Sequence, residues 1–440
     1  MRERGDEELS GGVVTTFSRR RNFRHEPMKI LVNATTIRGG GGVQKAVEFV
    51  RASISYNTEH VYSYALSDVV TNNLRAVTAL PSLALATANS SSARPIGGRA
   101  TRRVLREIER RFQPDVVYSV FGPAYVTFRA PHLMGFAVPW VTHPNRHAWQ
   151  TLRNPVEKTK HWAWCKYVTL WTRFADRWVL ETSVAAEGLS RVLGVERERL
   201  HVVPNSCSEP YYRAREDGAR PEVRMQRERP GDFNLLVFSR WYPHKNLQLV
   251  PIVAAELRRR DPTRRYRFFL TFDTSSGAWM RMRRQAKRLR VEENVVNLGP
   301  IMINDGPGLY VSSDALFLPT LLETFTATYP EAMCLRRPIV TTDLPFARDI
   351  CDQAALYFPP NDATCAADLI ALLADSDAMR SKLVEKGDER LAGAKTSREL
   401  YEMFIQILEV TAQERHEHGR IRRGRGGEPF DRGSRASNER

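Results

Sequence analysis

Glu323 and Glu331, with seven residues between them in Leu322-Glu-Thr-Phe-Thr-Ala-Thr-Tyr-Pro-Glu-Ala-Met333, bracket the passage from a short apolar strand, Asp314 to Leu318, into a helix. Pro330 fits the first helical turn, where a missing N–H costs nothing. The amides of that turn point outward and favour anions, and carboxylates accept hydrogen bonds from hydroxyls. The segment therefore suits a ligand that joins phosphate to sugar hydroxyls. The same residues also describe a solvated loop glutamate and an ordinary helix start stabilised by its dipole.

Three further groups fall where strands are expected to end, the edge at which open parallel sheets hold their ligands. Ser239-Arg-Trp-Tyr-Pro-His-Lys-Asn246 sets Arg240 and Lys245 on one loop, a guanidinium fork and a compact ammonium able to converge on a diphosphate. Arg38-Gly-Gly-Gly-Gly-Val-Gln44 follows the first strand and precedes a helix, so backbone at Gly41 and Gly42 can approach a ligand closely. Thr142-His-Pro-Asn-Arg-His147 offers His143 or His147 to orient a hydroxyl; a histidine held structurally fits equally well. No Asp-x-Asp pair stands at a strand end to hold a divalent ion against a diphosphate, so a metal-independent site is expected.

These residues need a scaffold, and 440 residues suffice for two domains. The net charge of +16 is uneven: residues 28–230 hold 29 Lys and Arg against 17 Asp and Glu, whereas residues 231–410 hold 23 of each. A basic first half attracts acidic substrates, anionic membrane or nucleic acid. Five cysteines without Cys-x-x-Cys spacing argue against a disulfide frame or zinc site. No apolar run is long enough to span a bilayer, and the charged first residues lack the apolar core of a signal peptide, which implies a cytoplasmic protein.

Strand and helix patterns alternate from Met28 onward, break over a polar stretch from Glu209 to Gly231, and restart at Asn234-Leu-Leu-Val-Phe-Ser239. The expected organisation is an α/β chain of two doubly wound, Rossmann-like domains. A disordered extension covers 1–27, the first domain 28–208, a linker 209–231, the second domain 232–412, and a disordered basic tail 413–440.

With Arg240, Lys245, the Pro204-Asn205 turn, Glu323 and Glu331 in this order, residues 28–410 resemble glycosyltransferase family 4. These are retaining enzymes of the GT-B fold, and phrases such as Pro338-Ile-Val-Thr-Thr-Asp-Leu344 look like members that build bacterial surface polysaccharides. The resemblance implies a nucleotide-sugar donor, UDP- or GDP-linked, with no other cofactor, and a lipid-linked or glycan acceptor. It implies that Arg240 and Lys245 bind the donor diphosphate with the Phe325 and Thr326 amides, and that Glu331 takes the ribose hydroxyls. Glu323 would contact the donor sugar, Gly41 and Gly42 would line the opposite wall, and His143 would match a histidine near the sugar. Three departures touch donor identity: Thr324-Phe-Thr326 replaces Gly-Phe-Gly, Ser206 follows Pro-Asn in place of glycine, and Arg336-Arg337 occupies a small-residue and glycine turn.

Rival readings are a catalytically silent sugar- or nucleotide-binding partner of the same fold and, from charge and the Arg/Gly tail, a nucleic-acid binder; no nucleic-acid reading module is recognisable, so no specific nucleic-acid partner is expected. Arg99, Arg102, Arg103, Arg106 and Arg110 recur at helical spacing opposite Val104, Leu105, Ile108 and Phe112, giving a helix that either lies on an anionic membrane or packs on the sheet with a solvated face. Trp164, Tyr167, Trp171 and Phe174 form a stripe expected in the core, with contact to an acceptor lipid as the other reading.

Overall fold

The computed structural model describes residues 27–424 apart from 58, 76–84, 89–90, 92, 94–97, 206, 218–224, 226–228, 230 and 302–304. The extension at 1–26, Ser206 and residues 425–440 therefore lie outside the described residues.

Two parallel sheets organise the chain. The first contains β1 (Lys29–Ala34), β2 (Val61–Ser67), β3 (Leu85–Ala88), β4 (Val116–Ser119), β5 (His132–Gly135), β6 (Arg177–Leu180) and β7 (Leu200–Val202), in the order β3-β2-β1-β4-β5-β6-β7. The second contains β8 (Phe233–Val237), β9 (Tyr266–Leu270), β10 (Val295–Asn297), β11 (Ala315–Leu318), β12 (Ile339–Thr342) and β13 (Ala355–Phe358), in the order β10-β9-β8-β11-β12-β13. Central strands such as Leu31-Val32 and Leu235-Leu236-Val237 are wholly buried, because helices cover both sheet faces and a parallel strand then carries apolar residues without alternation. β3 and β13 escape a reading by pattern, since Leu-Ala-Thr-Ala and Ala-Leu-Tyr-Phe are too short to show one.

The order in which successive strands are added reverses between β1 and β4 in the first sheet and between β8 and β11 in the second, with all strands parallel. A crevice opens at the carboxyl ends of strands at such a switch point. Gly39–Gly42 follows β1, the 239–246 loop follows β8, and the 319–327 loop follows β11.

Three expectations need correction. The polar stretch at 209–231 is not a plain linker: a helix runs from Glu209 to Glu216 and buries Tyr211 against Tyr310. The closing helix, Ser397–Gly424, passes the expected start of a tail at 413, and its Tyr401, Ile405 and Leu408 pack into the first sheet's core beside Phe49 and Tyr118. Residues such as Gln, Glu and Arg are good helix formers, so charge by itself does not end a helix. The aromatic stripe is not core. Its helix, Pro155–Thr172, buries only Val168 and Thr172, Tyr167 and Trp171 lean on Tyr125, and Trp164 and Phe174 are exposed together with Trp162 and Leu170. The Arg99–Phe112 helix does pack on the sheet, through Leu105 and through Glu109, whose carboxylate accepts the Ala130 N–H at 3.0 Å.

Candidate functional site

The second domain builds its half of the site from two neighbouring loops tied to each other. The Leu321 N–H donates to the His244 carbonyl at 2.7 Å. Lys245 forms an ion pair with the Glu323 carboxylate, which also accepts from Thr320 Oγ1 at 2.7 Å. Lys245 and Glu323 expose only 14% and 9% of their side chains, so little water screens the pair. An ammonium has three N–H donors and spends one here, which leaves two for a phosphate. Arg240, by contrast, is exposed and carries no ion pair among the described residues.

The first domain reaches across and holds the 321–324 backbone. Asn145 Nδ2 donates to the Leu321 carbonyl at 2.7 Å, and Thr182 Oγ1 donates to the Thr324 carbonyl at 3.0 Å. His143 Nε2 lies 2.6 Å from the Glu323 carbonyl, and Nδ1 lies 2.7 Å from Thr142 Oγ1. A carbonyl only accepts, so His143 carries its proton on Nε2 and accepts the Thr142 hydroxyl on Nδ1. Burial lowers the His143 pKa, which keeps the ring neutral. Both nitrogens are thus engaged: Nε2 joins the domains, and the Thr142 bond on Nδ1 fixes the tautomer and orientation that let it do so. An apolar plug of Trp140, Ala148 and Leu152 against Leu321 and Leu322 reinforces the junction.

This strapping sets the direction of the amides. In a trans peptide the N–H points opposite the preceding C=O, so when the Thr324 carbonyl faces Thr182 the Phe325 N–H faces away from it. No acceptor among the described residues meets the Phe325 or Thr326 N–H. Thr326 itself is buried, with its hydroxyl 2.8 Å from that of Thr328, so the threonines flanking Phe325 crowd the loop without capping those two amides.

Glu331 lies in the Thr328–Cys334 helix and is 4% exposed. Tyr310 donates to its Oε2 at 2.9 Å, and Tyr211 supplies a second hydroxyl bond. Burial pushes the carboxyl up to about 7, against the lowering pull of the two tyrosines. Neither tyrosine was legible as a site residue. Tyr211 stands in a polar stretch, and the chain brings it to Glu331 only because a Cβ at Gly306, 2.3 Å from the Tyr211 hydroxyl, is absent.

From the first sheet, Gly39 lies against Arg240: a Cβ there would stand 3.1 Å from Nη1. Gly40 has φ +69°, a left-handed conformation that side chains resist, and it turns the chain into the helix starting at Gly41. A Cβ on Gly41 would meet open space, whereas one on Gly42 would touch Ile37 and Phe121. Glu181, immediately after β6, was also missed. Its carboxyl accepts from Asn205 Nδ2 at 2.9 Å and is raised by burial against the pull of Lys45. The chain's Asp-x-Asp pair, Asp375 and Asp377, joins two helices and is paired with Arg264 and Arg380, away from these loops. The turn after the Glu331 helix holds Arg336 at φ +56°.

The architecture is GT-B: two parallel-sheet α/β domains facing across a cleft. Residues 220–390 match the family model for Glycosyl transferases group 1, a span that includes the second sheet and the loops at 239–246 and 319–327. In sequence, the chain is 29% identical over 174 residues to a D-inositol 3-phosphate glycosyltransferase of Nocardia farcinica, spanning 39% of this chain and 38% of that protein. It is 22% identical over 176 residues to the O-antigen chain mannosyltransferase RfbU of Salmonella typhimurium, spanning 40% of this chain and 44% of that one. The alignments thus span about two fifths of each relative. In structure, Anabaena HepE in complex with UDP-glucose superposes with a TM-score of 0.62 at 15% identity, over 88% of this chain and 100% of that one.

Proposed function

We propose that the chain transfers a hexosyl unit from a nucleotide-sugar donor to a lipid-linked or glycan acceptor, with retention at the anomeric carbon, in the manner of glycosyltransferase family 4. The observation that supports this most is the convergence, at the switch point of the second sheet, of Arg240, Lys245 and the unpaired Phe325 and Thr326 amides opposite Gly39. Charge develops on the leaving diphosphate as the glycosidic bond breaks, and fixed cations with oriented amides stabilise it there. Arg240 and Lys245 hold the diphosphate, Glu331 accepts the ribose hydroxyls, and Glu323 meets the sugar while anchoring Lys245. Arg240 and Lys245, the latter shared with Glu323, act on the diphosphate together with the Phe325 and Thr326 amides, and this reading calls for no metal ion. His143 positions Glu323 through its carbonyl and keeps the domains aligned over the sugar. A retaining displacement of this kind is a same-face attack assisted by the leaving phosphate, with no protein nucleophile.

Among the described residues no helix is long and apolar enough to cross a membrane. The Pro155–Thr172 helix instead presents Trp162, Trp164 and Leu170 to solvent among Lys158, Lys160 and Lys166, a composition that suits the headgroup layer of an anionic membrane carrying the acceptor.

Thermal denaturation against UDP, GDP and their sugars tests the donor assignment. A nucleotide at a hundred times its Kd stabilises the folded state by about 2.7 kcal/mol. One nucleotide class should raise Tm in the parent protein and fail to do so in Arg240→Ala. Absence of any nucleotide shift, or a shift unchanged in Arg240→Ala, would sink the assignment.

A further inference from the structure

A second cavity, of about 780 Å³, opens between the domains and is lined by neither Lys245, Glu323 nor Glu331. One wall is the Gly277–Arg288 helix, which carries no acidic residue and turns Arg281, Arg284, Lys287 and Arg288 toward the opening. Arg153 faces them from the first domain. None of these five cations has an ion-pair partner among the described residues. The one carboxylate on the lining, Glu157, already accepts the Arg153 backbone N–H at 2.8 Å and lies in the first turn of its own helix, whose cap is Asn154. The floor is apolar, formed by Met282 and by Trp241, over whose ring the Arg281 guanidinium stands at 6.0 Å. Gln285 ties the wall to the neighbouring loop by donating to the Gln248 carbonyl at 3.3 Å.

Five like charges around one opening repel one another unless a multivalent anion sits among them. Guanidinium forks match phosphate oxygens in pairs, and the volume is that of a small-ligand site. We propose that this cavity binds a ligand bearing two or more closely spaced phosphates, its uncharged part lying on Trp241 and Met282. The site is separate from the one assigned to the donor and does not depend on that assignment. It shares the 239–246 loop with Arg240 and Lys245, so its occupant stands beside the reaction centre, as a phosphate-bearing acceptor or a soluble effector would.

The experiment uses the full chain and inorganic tripolyphosphate in isothermal titration. The parent protein should bind it with an affinity that falls steeply as salt rises. Arg284→Glu with Arg288→Glu, both on an exposed helix face, should weaken binding at least tenfold with an unchanged melting curve, whereas Arg240→Ala should remove at most a second, separate binding event. The reverse pattern, binding lost with Arg240 and kept in the double variant, would overturn the proposal by assigning the anion to the diphosphate loop. Vesicles of phosphatidylcholine and phosphatidylglycerol form the second arm. Protein that pellets with them through Arg284 and Arg288 yet ignores tripolyphosphate would also overturn it, because a flat basic surface needs no cavity.

Discussion

Glu331→Gln separates the cost of the site from its use. The Glu331 carboxyl titrates near 7 in the folded chain against an ordinary 4.5, and at about 1.4 kcal/mol per pH unit that gap amounts to about 3 kcal/mol. A raised folded pKa on an acid means the native state binds more protons than the unfolded chain between 4.5 and about 7, so stability falls as pH rises through that window and levels off above it. Tyr310 and Tyr211 stay protonated throughout, since burial raises both. Glutamine keeps the shape and cannot ionise, but its NH2 needs a partner, an offset on the order of 1 kcal/mol. The variant should therefore be more stable than the parent by about 2 kcal/mol at pH 8 and roughly equal or slightly weaker at pH 5, while losing ribose affinity. Chemical denaturation of both proteins at pH 5, 6.5 and 8 reads this directly, with the nucleotide thermal shift alongside. A stability difference that stays constant between pH 5 and pH 8 would refute the account of Glu331 as a carboxyl desolvated to keep a hydroxyl acceptor in place.

The Lys245–Glu323 pair should behave as a buried one: Lys245→Ala strands a carboxylate that Thr320 alone still touches, at a cost of about 3 kcal/mol, and adding Glu323→Gln should recover part of it. A double-mutant cycle by urea denaturation measures the coupling, and a loss under 1 kcal/mol for Lys245→Ala would show the pair to be solvent-screened. Arg336→Gly should stabilise by up to about 1 kcal/mol, because Arg336 holds a left-handed φ of +56° that glycine adopts freely. Its half-exposed pair with Asp388 contributes little, and Arg215 still reaches Asp388 at 2.8 Å; a drop in stability would mean that the pair outweighs the backbone strain.

The alternation of apolar runs and amphipathic helices, read from the sequence, sufficed for two doubly wound domains, because a parallel strand buried on both faces must be apolar along its length. Strand ends then supplied the candidates: Arg240, Lys245, Glu323 and Glu331 could be singled out because each follows or neighbours a recognisable strand. What each side chain faces was decided by tertiary structure. His143 was a candidate for orienting a hydroxyl, and only the fold shows that its Nε2 meets the Glu323 carbonyl, 180 residues away, and so also ties the domains together. Tyr211 looked like linker and completes the Glu331 environment, since a hydroxyl counts as a site group only once a carboxylate is folded against it. The stripe from Trp164 to Phe174 has the periodicity of a core helix and stands largely in solvent, as periodicity records which residues share a face and not whether anything covers it. Local order along a chain fixes elements and their ends. Pairing across those ends depends on how two separate sheets meet.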